Sequence, residues 1–166
     1  DIHREFLQII DNEADRLMHL VNDVLELSRI EEAQDFEMLP MDIHRACEAA
    51  IRSLNLMARD RGIELAFEQN ENVSLASINQ ESIERVIINL IKNAIEALQG
   101  NPEPLITVKA HSDINQRTYI EVADNGSGIE PEALERIFIP FYTTKKTGSG
   151  IGLSLSRQIL QQHGGS

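Results

Sequence analysis

Residues 86–98 read Val86-Ile-Ile-Asn89-Leu-Ile-Lys-Asn93-Ala-Ile-Glu96-Ala-Leu98. The stretch lacks Gly and Pro, and its apolar side chains return at helical spacing, which predicts a helix with one buried face. Val86, Ile87, Leu90, Ile91, Ala94 and Ile95 make up that face. Asn89 and Asn93 lie four apart, so both project from one side of the helix. Two carboxamides in apolar surroundings need partners, because an unpaired buried polar group costs about 1–3 kcal/mol. A carboxamide oxygen is a hard ligand suited to Mg²⁺, which usually keeps several waters and bridges substrate phosphates. Bonds from both amides to neighbouring backbone satisfy them just as well at this level.

Downstream, strands are expected near Leu105–Ala110 and Thr118–Val122. The second runs into Asp124-Asn-Gly126-Ser-Gly128-Ile129. An aspartate there can accept from an exocyclic amine such as that of adenine. The glycines let backbone approach a flat ring, and the same residues also spell an ordinary turn. A short helix at Pro131–Ile137 follows, with Pro in its first turn. Phe138-Ile-Pro-Phe141-Tyr-Thr-Thr144-Lys145-Lys146 suits a flap with an apolar anchor and a basic end that can meet a polyphosphate. Gly148-Ser-Gly150-Ile-Gly152-Leu153 then leads into a last helix, Ile151 to about Gln162. Glycines ahead of a helix expose N–H groups at its positive end. The Lys-Ser/Thr pair of a Walker loop is absent, and no strand directly precedes the glycines as a dinucleotide fingerprint requires.

Upstream, residues 42–60 read as a helix with Asp42 as N-cap and Gly62 beyond its end. Its apolar face is Ile43, Ala46, Cys47, Ala50, Ile51, Leu54 and Met57. Ile63, Leu65 and Phe67 alternate with other residues as in a strand, and a short strand is expected at Val73–Leu75. Residues 32–41 form a joint with Pro40 as breaker, and Phe36 and Met38 hint at a short strand. Residues 4–31 predict one long helix. Leu17, Leu20, Val24 and Leu27 give it a packing seam, which favours a bundle or dimer interface over an ordinary core helix. The whole is mixed α and β, with hairpin-like strand pairs rather than regular βαβ repeats. That favours helices on one face of a mixed sheet.

Composition narrows the function. The chain has 166 residues and a formal charge of −12. Such acidity argues against general nucleic-acid binding, which needs clustered Lys and Arg. A single nucleotide remains compatible, since a metal ion and a few donors offset the repulsion. The lone cysteine, Cys47, cannot form an internal disulfide. No apolar run nears the roughly 20 residues that span a bilayer, and no signal peptide opens the chain. The expectation is a soluble, cytoplasmic piece without membrane contact of its own, compatible with membrane segments upstream in a longer protein.

In their order, the four features around Asn89, Asp124, Phe138 and Gly148 resemble the N, first G, F and second G boxes of the sensor histidine kinases of two-component systems. Gyrase-type topoisomerases, mismatch-repair ATPases and an ATP-dependent chaperone share that family's ATP-binding fold. The resemblance covers residues from about 36 to the end. It implies an α+β fold, a two-layer α/β sandwich of the Bergerat type. It also implies roles: Asn89 and Asn93 hold Mg²⁺ and the phosphates, and Asp124 bonds the adenine amine. Gly126, Gly128 and Ile129 border the base. Phe138 and Phe141 anchor a lid containing Thr144, Lys145 and Lys146, while Gly148, Gly150, Gly152 and Leu153 lie near the phosphates. Related ATPases carry Glu where this chain has Asn89, which points to phosphoryl transfer rather than hydrolysis. Asn93-Ala-Ile-Glu96-Ala-Leu98 is similar to the nitrogen-regulation type.

Residues 1–32, with Leu27-Ser-Arg-Ile-Glu31, resemble the second helix of the dimerisation and phosphoacceptor hairpin, leaving 33–166 as the catalytic domain. The resemblance implies a homodimer through that helix and a response-regulator receiver domain as partner. The acceptor motif, His followed by an acid and then Pro-Leu, surrounds none of His3, His19, His44, His111 or His163. The acceptor and its acid are therefore expected upstream, and the family's closing strands are expected past Ser166.

Overall fold

The computed structural model describes residues 37–69, 75–145 and 148–166, and positions 3, 6–11, 13, 14, 17, 18, 21, 22 and 25 of the N-terminal segment. In chain order the elements are β1 (Leu39–Met41), α1 (Ile43–Asp60), β2 (Glu64–Gln69), β3 (Ala76–Ile78), α2 (Gln80–Ala97), β4 (Leu105–Ser112), β5 (Thr118–Asp124), α3 (Pro131–Leu134) and α4 (Gly152–Gln162).

Local chemistry sets the helix ends. Asp42 caps α1 by accepting from the His44 N–H at 2.9 Å. Gly62, at φ +68°, ends it: its N–H reaches the Arg59 carbonyl, and the Ile63 N–H reaches that of Ala58, both at 2.9 Å. This paired bonding is the Schellman ending, and Gly bears the left-handed φ without strain. It delivers buried Ile63 to the start of β2. Asn79 caps α2 through the Ser82 N–H at 3.0 Å.

β2 pairs parallel with β4, and β4 pairs antiparallel with β5, giving the sheet order β2-β4-β5. The expected mixed sheet with helices on one face is therefore found. The parallel pair is joined through β3 and α2, a single crossover in a sheet without regular βαβ repeats. Ile106, Val108 and Ala110 of β4 point inward into one core shared with Ile87 and Ile91 of α2 and Cys47 and Ala50 of α1. Full burial of a Leu- or Ile-sized side chain contributes about 1.5–3 kcal/mol, so this Ile-rich layer is a large stabilising contribution, with Phe67 as the aromatic packed against it.

Cys47 is fully buried, and its thiol is pushed up to about 12, first by burial and then by the nearby Asp42 carboxylate. A thiol reacts as its thiolate. Iodoacetamide at pH 8 is therefore expected to leave the folded chain unlabelled and to modify it in step with urea unfolding. Labelling of the folded chain at the rate of a free thiol would contradict this burial.

Three local expectations are corrected. Pro40 does not break the chain; it sits within β1 opposite Ser77 of β3. Both strands of a two-stranded sheet are edges, where a missing N–H can face away from the partner. The short strand expected at Val73–Leu75 lies at Ala76–Ile78: Leu75 is outside it and 67% exposed, and Val73 is outside the described residues. The helix expected at Pro131–Ile137 is a single turn, α3, with Pro at its start as anticipated. Phe36 and the seam positions Leu20, Val24 and Leu27 are also outside the described residues.

The β4–β5 turn is built on Asp113. Its Oδ1 accepts from the Asn115 and Arg117 N–H groups at 2.8 and 2.9 Å, and the Tyr119 hydroxyl donates to Oδ2 at 3.3 Å. The Arg117 N–H foremost, with these other donors, holds the carboxyl below its usual value. A carboxyl lowered by folding stabilises the protein above its unfolded pKa, near 3.9, and that contribution fades as pH falls through the folded value. Asp113→Ala should therefore lower the urea midpoint at pH 7, by a margin that narrows below about pH 4.

Candidate functional site

Asp124 is placed by strand alternation. Ile120 and Val122 pack toward the helices, and Asp124 continues their side of β5, directly opposite fully buried Ile106. The strand thus brings an acid to the end of the sheet beneath the C-terminus of α2. Asp124 Oδ1 accepts from the Gly126 N–H at 2.9 Å, which leaves Oδ2 for another donor. Asn125 ties the same loop to the α2–β4 connection. Its Oδ1 accepts from the Leu105 N–H at 2.9 Å, its Nδ2 donates to the Glu103 carbonyl at 2.8 Å, and its carbonyl accepts from Asn101 Nδ2 at 2.8 Å. Gly126 lies against the end of α2, where an added Cβ would stand 2.7 Å from the Ala97 carbonyl oxygen. Gly128 adopts φ +72°. Ile129 beyond it is half exposed.

Across α2, Asn89 faces α4. Its Nδ2 donates to Ser156 Oγ at 2.9 Å, so its carbonyl oxygen is the atom left for another ligand. An added Cβ at Gly152 would stand 2.3 Å from that oxygen and 3.1 Å from Nδ2. Gly152 and Ser156, four apart on α4, therefore form the slot that seats Asn89. Among the described residues no side chain caps the first turn of α4, and Ile151 at the cap is fully buried. Leu153 follows, half-buried. At the other end of α4, His163 accepts from the Asn79 N–H through Nε2 at 3.0 Å and donates through Nδ1 to the Ile159 carbonyl at 2.7 Å. Its role is to pin α4 to the cap of α2.

The segment between β5 and α4 closes the site. Arg157 of α4 stacks over Phe138 at 5.3 Å, and Arg136 stacks over Tyr142 at 4.4 Å. Phe141, at φ +66°, donates its N–H to the Gly150 carbonyl at 2.9 Å. Gly150 has φ +71°, and a Cβ there would meet the Phe141 carbonyl carbon at 2.5 Å. The pair Phe141–Gly150 forms the base of a loop. On it, Gly148 packs against Thr143, Thr144 is exposed, and Lys145 turns back over α2. Lys145 Nζ donates to Asn93 Oδ1 at 2.8 Å and pairs with Glu96 Oε2 at 2.5 Å. Lys146 is outside the described residues.

The structure thus gathers Asn89, Asn93, Asp124, Gly126, Phe141, Lys145, Gly150 and Gly152 around the C-terminal half of α2. Sequence reasoning missed Asn101, Asn125, Ser156 and Glu96. Only Ser156 carried a local signal, a small polar residue four after Gly152 on the apolar side of a helix. The side chains of Asn125 and Glu96 bond to distant partners, and Asn101, besides its local bond to the Glu103 N–H, reaches Asn125 24 positions on.

The loop after β5, the C-terminal half of α2 and the glycine-framed loop before α4 come together at one place, and this arrangement goes with an ATP-binding class of protein. The chain belongs to the family described as Histidine kinase-, DNA gyrase B-, and HSP90-like ATPase, which residues 78–166 match. Residues 1–33 match the His Kinase A (phospho-acceptor) domain. Sensor histidine kinase ZraS of Salmonella typhi is 37% identical over 167 residues, spanning 98% of this chain and 34% of that protein. Full-length ShkA in complex with AMPPNP superposes with a TM-score of 0.79 at 25% identity, over 100% of this chain and 35% of that one. ThkA in complex with response regulator protein TrrA gives 0.78 at 27% identity, over 99% of this chain and 46% of that one. The chain thus spans only about a third of the curated relative named here.

Proposed function

We propose that this chain is the ATP-binding catalytic region of a sensor histidine kinase, acting as a homodimer. It presents the γ-phosphate of ATP to a histidine on an upstream helix, for relay to an aspartate of a response-regulator receiver domain. The observation that carries the reading is the convergence of two carboxamides, the first turn of α4 and Lys145 along α2, whose C-terminal end meets the loop that follows Asp124. Asp124 Oδ2 recognises the adenine amine, with Gly126, Gly128 and Ile129 lining the base. The N–H groups at the start of α4 take the phosphates, and Phe138 and Phe141 anchor the loop over them.

The residues fit Mg²⁺. Asn93 Oδ1 already takes a cationic donor from Lys145, and Asn89 spends its nitrogen on Ser156 and keeps its oxygen. Among the described residues no group of three His, Cys, Asp or Glu could hold a metal alone, which suits an ion shared with substrate phosphates. When bound, the metal would neutralise developing phosphate charge. Asn89 cannot accept a proton from water, so phosphoryl transfer is favoured over hydrolysis.

Supporting the dimer, the described N-terminal positions are helical and expose Phe6, Ile9, Ile10, Leu17 and Val21 at 54–64%. An apolar stripe of this kind is stable only when covered. Residues 1–32 are accordingly read as the second hairpin helix and 33–166 as the catalytic domain, of nitrogen-regulation-like type. No helix among the described residues is long and apolar enough to cross a membrane; a cytoplasmic location is part of the proposal.

Calorimetry with ATP, with and without Mg²⁺, tests the pocket, and the expected result is binding strengthened by the metal. Incubation of a longer protein containing the upstream helix with labelled ATP tests the transfer, and acid-labile, base-stable phosphate on the protein is expected. Steady release of inorganic phosphate with no protein label would replace the kinase reading with an ATPase. The chain alone is expected to acquire no such label.

A further inference from the structure

Lys145 is committed twice. Its ammonium sits on the Asn93 oxygen that the proposed function assigns to Mg²⁺, and it pairs with Glu96 one turn further along α2. Glu96 has no part in nucleotide recognition as described above. It is a carboxylate placed beside a phosphate site, where on its own it would repel the ligand. We propose, resting on that nucleotide reading, that Glu96 is a positioning residue acting through Lys145. It holds the lysine across Asn93 when no nucleotide is bound, and it yields the lysine when a polyphosphate arrives.

The physical basis is competition for one ammonium and one oxygen. A polyphosphate offers Lys145 a larger negative charge than a single carboxylate does. Mg²⁺ and Lys145 cannot both occupy Asn93 Oδ1 in the same way. Binding of the metal nucleotide therefore requires Lys145 to leave Asn93, and the phosphates give it a new partner. The latch is weak: the side chains of Lys145 and Glu96 are 38% and 53% exposed, and exposed ion pairs contribute little. It thus resists the ligand by a small factor while keeping the loop ordered and the Glu96 charge covered. The phosphates and their metal release it, so the device discriminates between adenosine and ATP without touching either the base or the ribose.

Hydrogen exchange over residues 138–145 in the nucleotide-free chain tests the latch independently of any ligand. Glu96→Gln and Lys145→Gln should each speed exchange there, and the double variant should add nothing to either. Glu96→Asp, which keeps the charge, should restore part of the protection. In calorimetry with Mg–ATP, Glu96→Gln should tighten binding about two- to fivefold, the scale of an exposed ion pair, and leave adenosine binding unchanged. Unchanged exchange in Glu96→Gln, or additive effects in the double variant, would overturn the latch. Weaker ATP binding in Glu96→Gln would overturn its opposing role. If the unmodified chain bound no ATP while the exchange results held, the nucleotide reading would fail and the contact would stand as a structural tether.

Discussion

Asp124→Asn is expected to weaken ATP binding about 10- to 100-fold while barely moving the urea midpoint. The carboxylate offers two acceptors, one spent on the Gly126 N–H and one left for the base. An asparagine must turn its NH₂ toward one of those donors. Either the loop loses its bond or the adenine amine meets another donor, and a partner left unsatisfied costs about 1–3 kcal/mol, with about 1.4 kcal/mol per tenfold in affinity. Inosine triphosphate separates this cause from general damage, because its base carries a carbonyl in place of the amine. The unmodified chain should prefer ATP strongly. The variant should lose most of that preference, since its amide can donate to the carbonyl. ATP binding by Asp124→Asn at full strength, with the preference intact, would remove Asp124 from base recognition.

Asp124 was readable in the sequence as the acid of an Asp-Asn-Gly run after an expected strand, and the structure seats it at the end of β5. Ile120, Val122 and Asp124 alternate, and an acid closing an inward-facing row must sit at the rim of the core. Asn89 and Asn93 were readable on a period of 3.6. Glycines framing a helix start were equally plain. These signals are local, and so are the helix caps at Asp42 and Asn79, each within three residues of its bond partner.

What the sequence hid depends on distant partners. Asn125 looks like one more turn residue in Asp124-Asn-Gly126, yet its side chain bonds Glu103 and Leu105, some twenty positions earlier. Glu96 reads as solvated helix surface until Lys145, 49 residues later, folds back on it. Pro40 was misread because strand propensity says nothing of whether a strand is central or an edge. The mixed sheet was legible in the pattern of elements, but which strands pair was not: β2 pairs parallel with β4 across β3 and α2, and β3 belongs to a different sheet. Local patterns fix elements, and long-range register fixes which elements meet.

Gly152→Ala sets a local preference against a tertiary contact, and the contact is expected to win. Alanine is favoured over glycine in a helix by up to about 1 kcal/mol, so helix propensity alone predicts a stabler chain. At this position, however, the new methyl would lie 2.3 Å from Asn89 Oδ1. Asn89 must swing away and give up Ser156, a buried hydroxyl. Crowding and the lost bond each cost about 1–3 kcal/mol. The urea midpoint should therefore fall, and ATP binding should lose its Mg²⁺-dependent part while the base-recognition part persists. The cause can be isolated by removing Asn89. In an Asn89→Ala background the slot is empty, so Gly152→Ala should become neutral or stabilising, a strongly non-additive pair. An equal penalty in both backgrounds would mean that glycine is needed for the backbone of α4 itself, and that the Asn89–Gly152 packing does not set the geometry of the phosphate side.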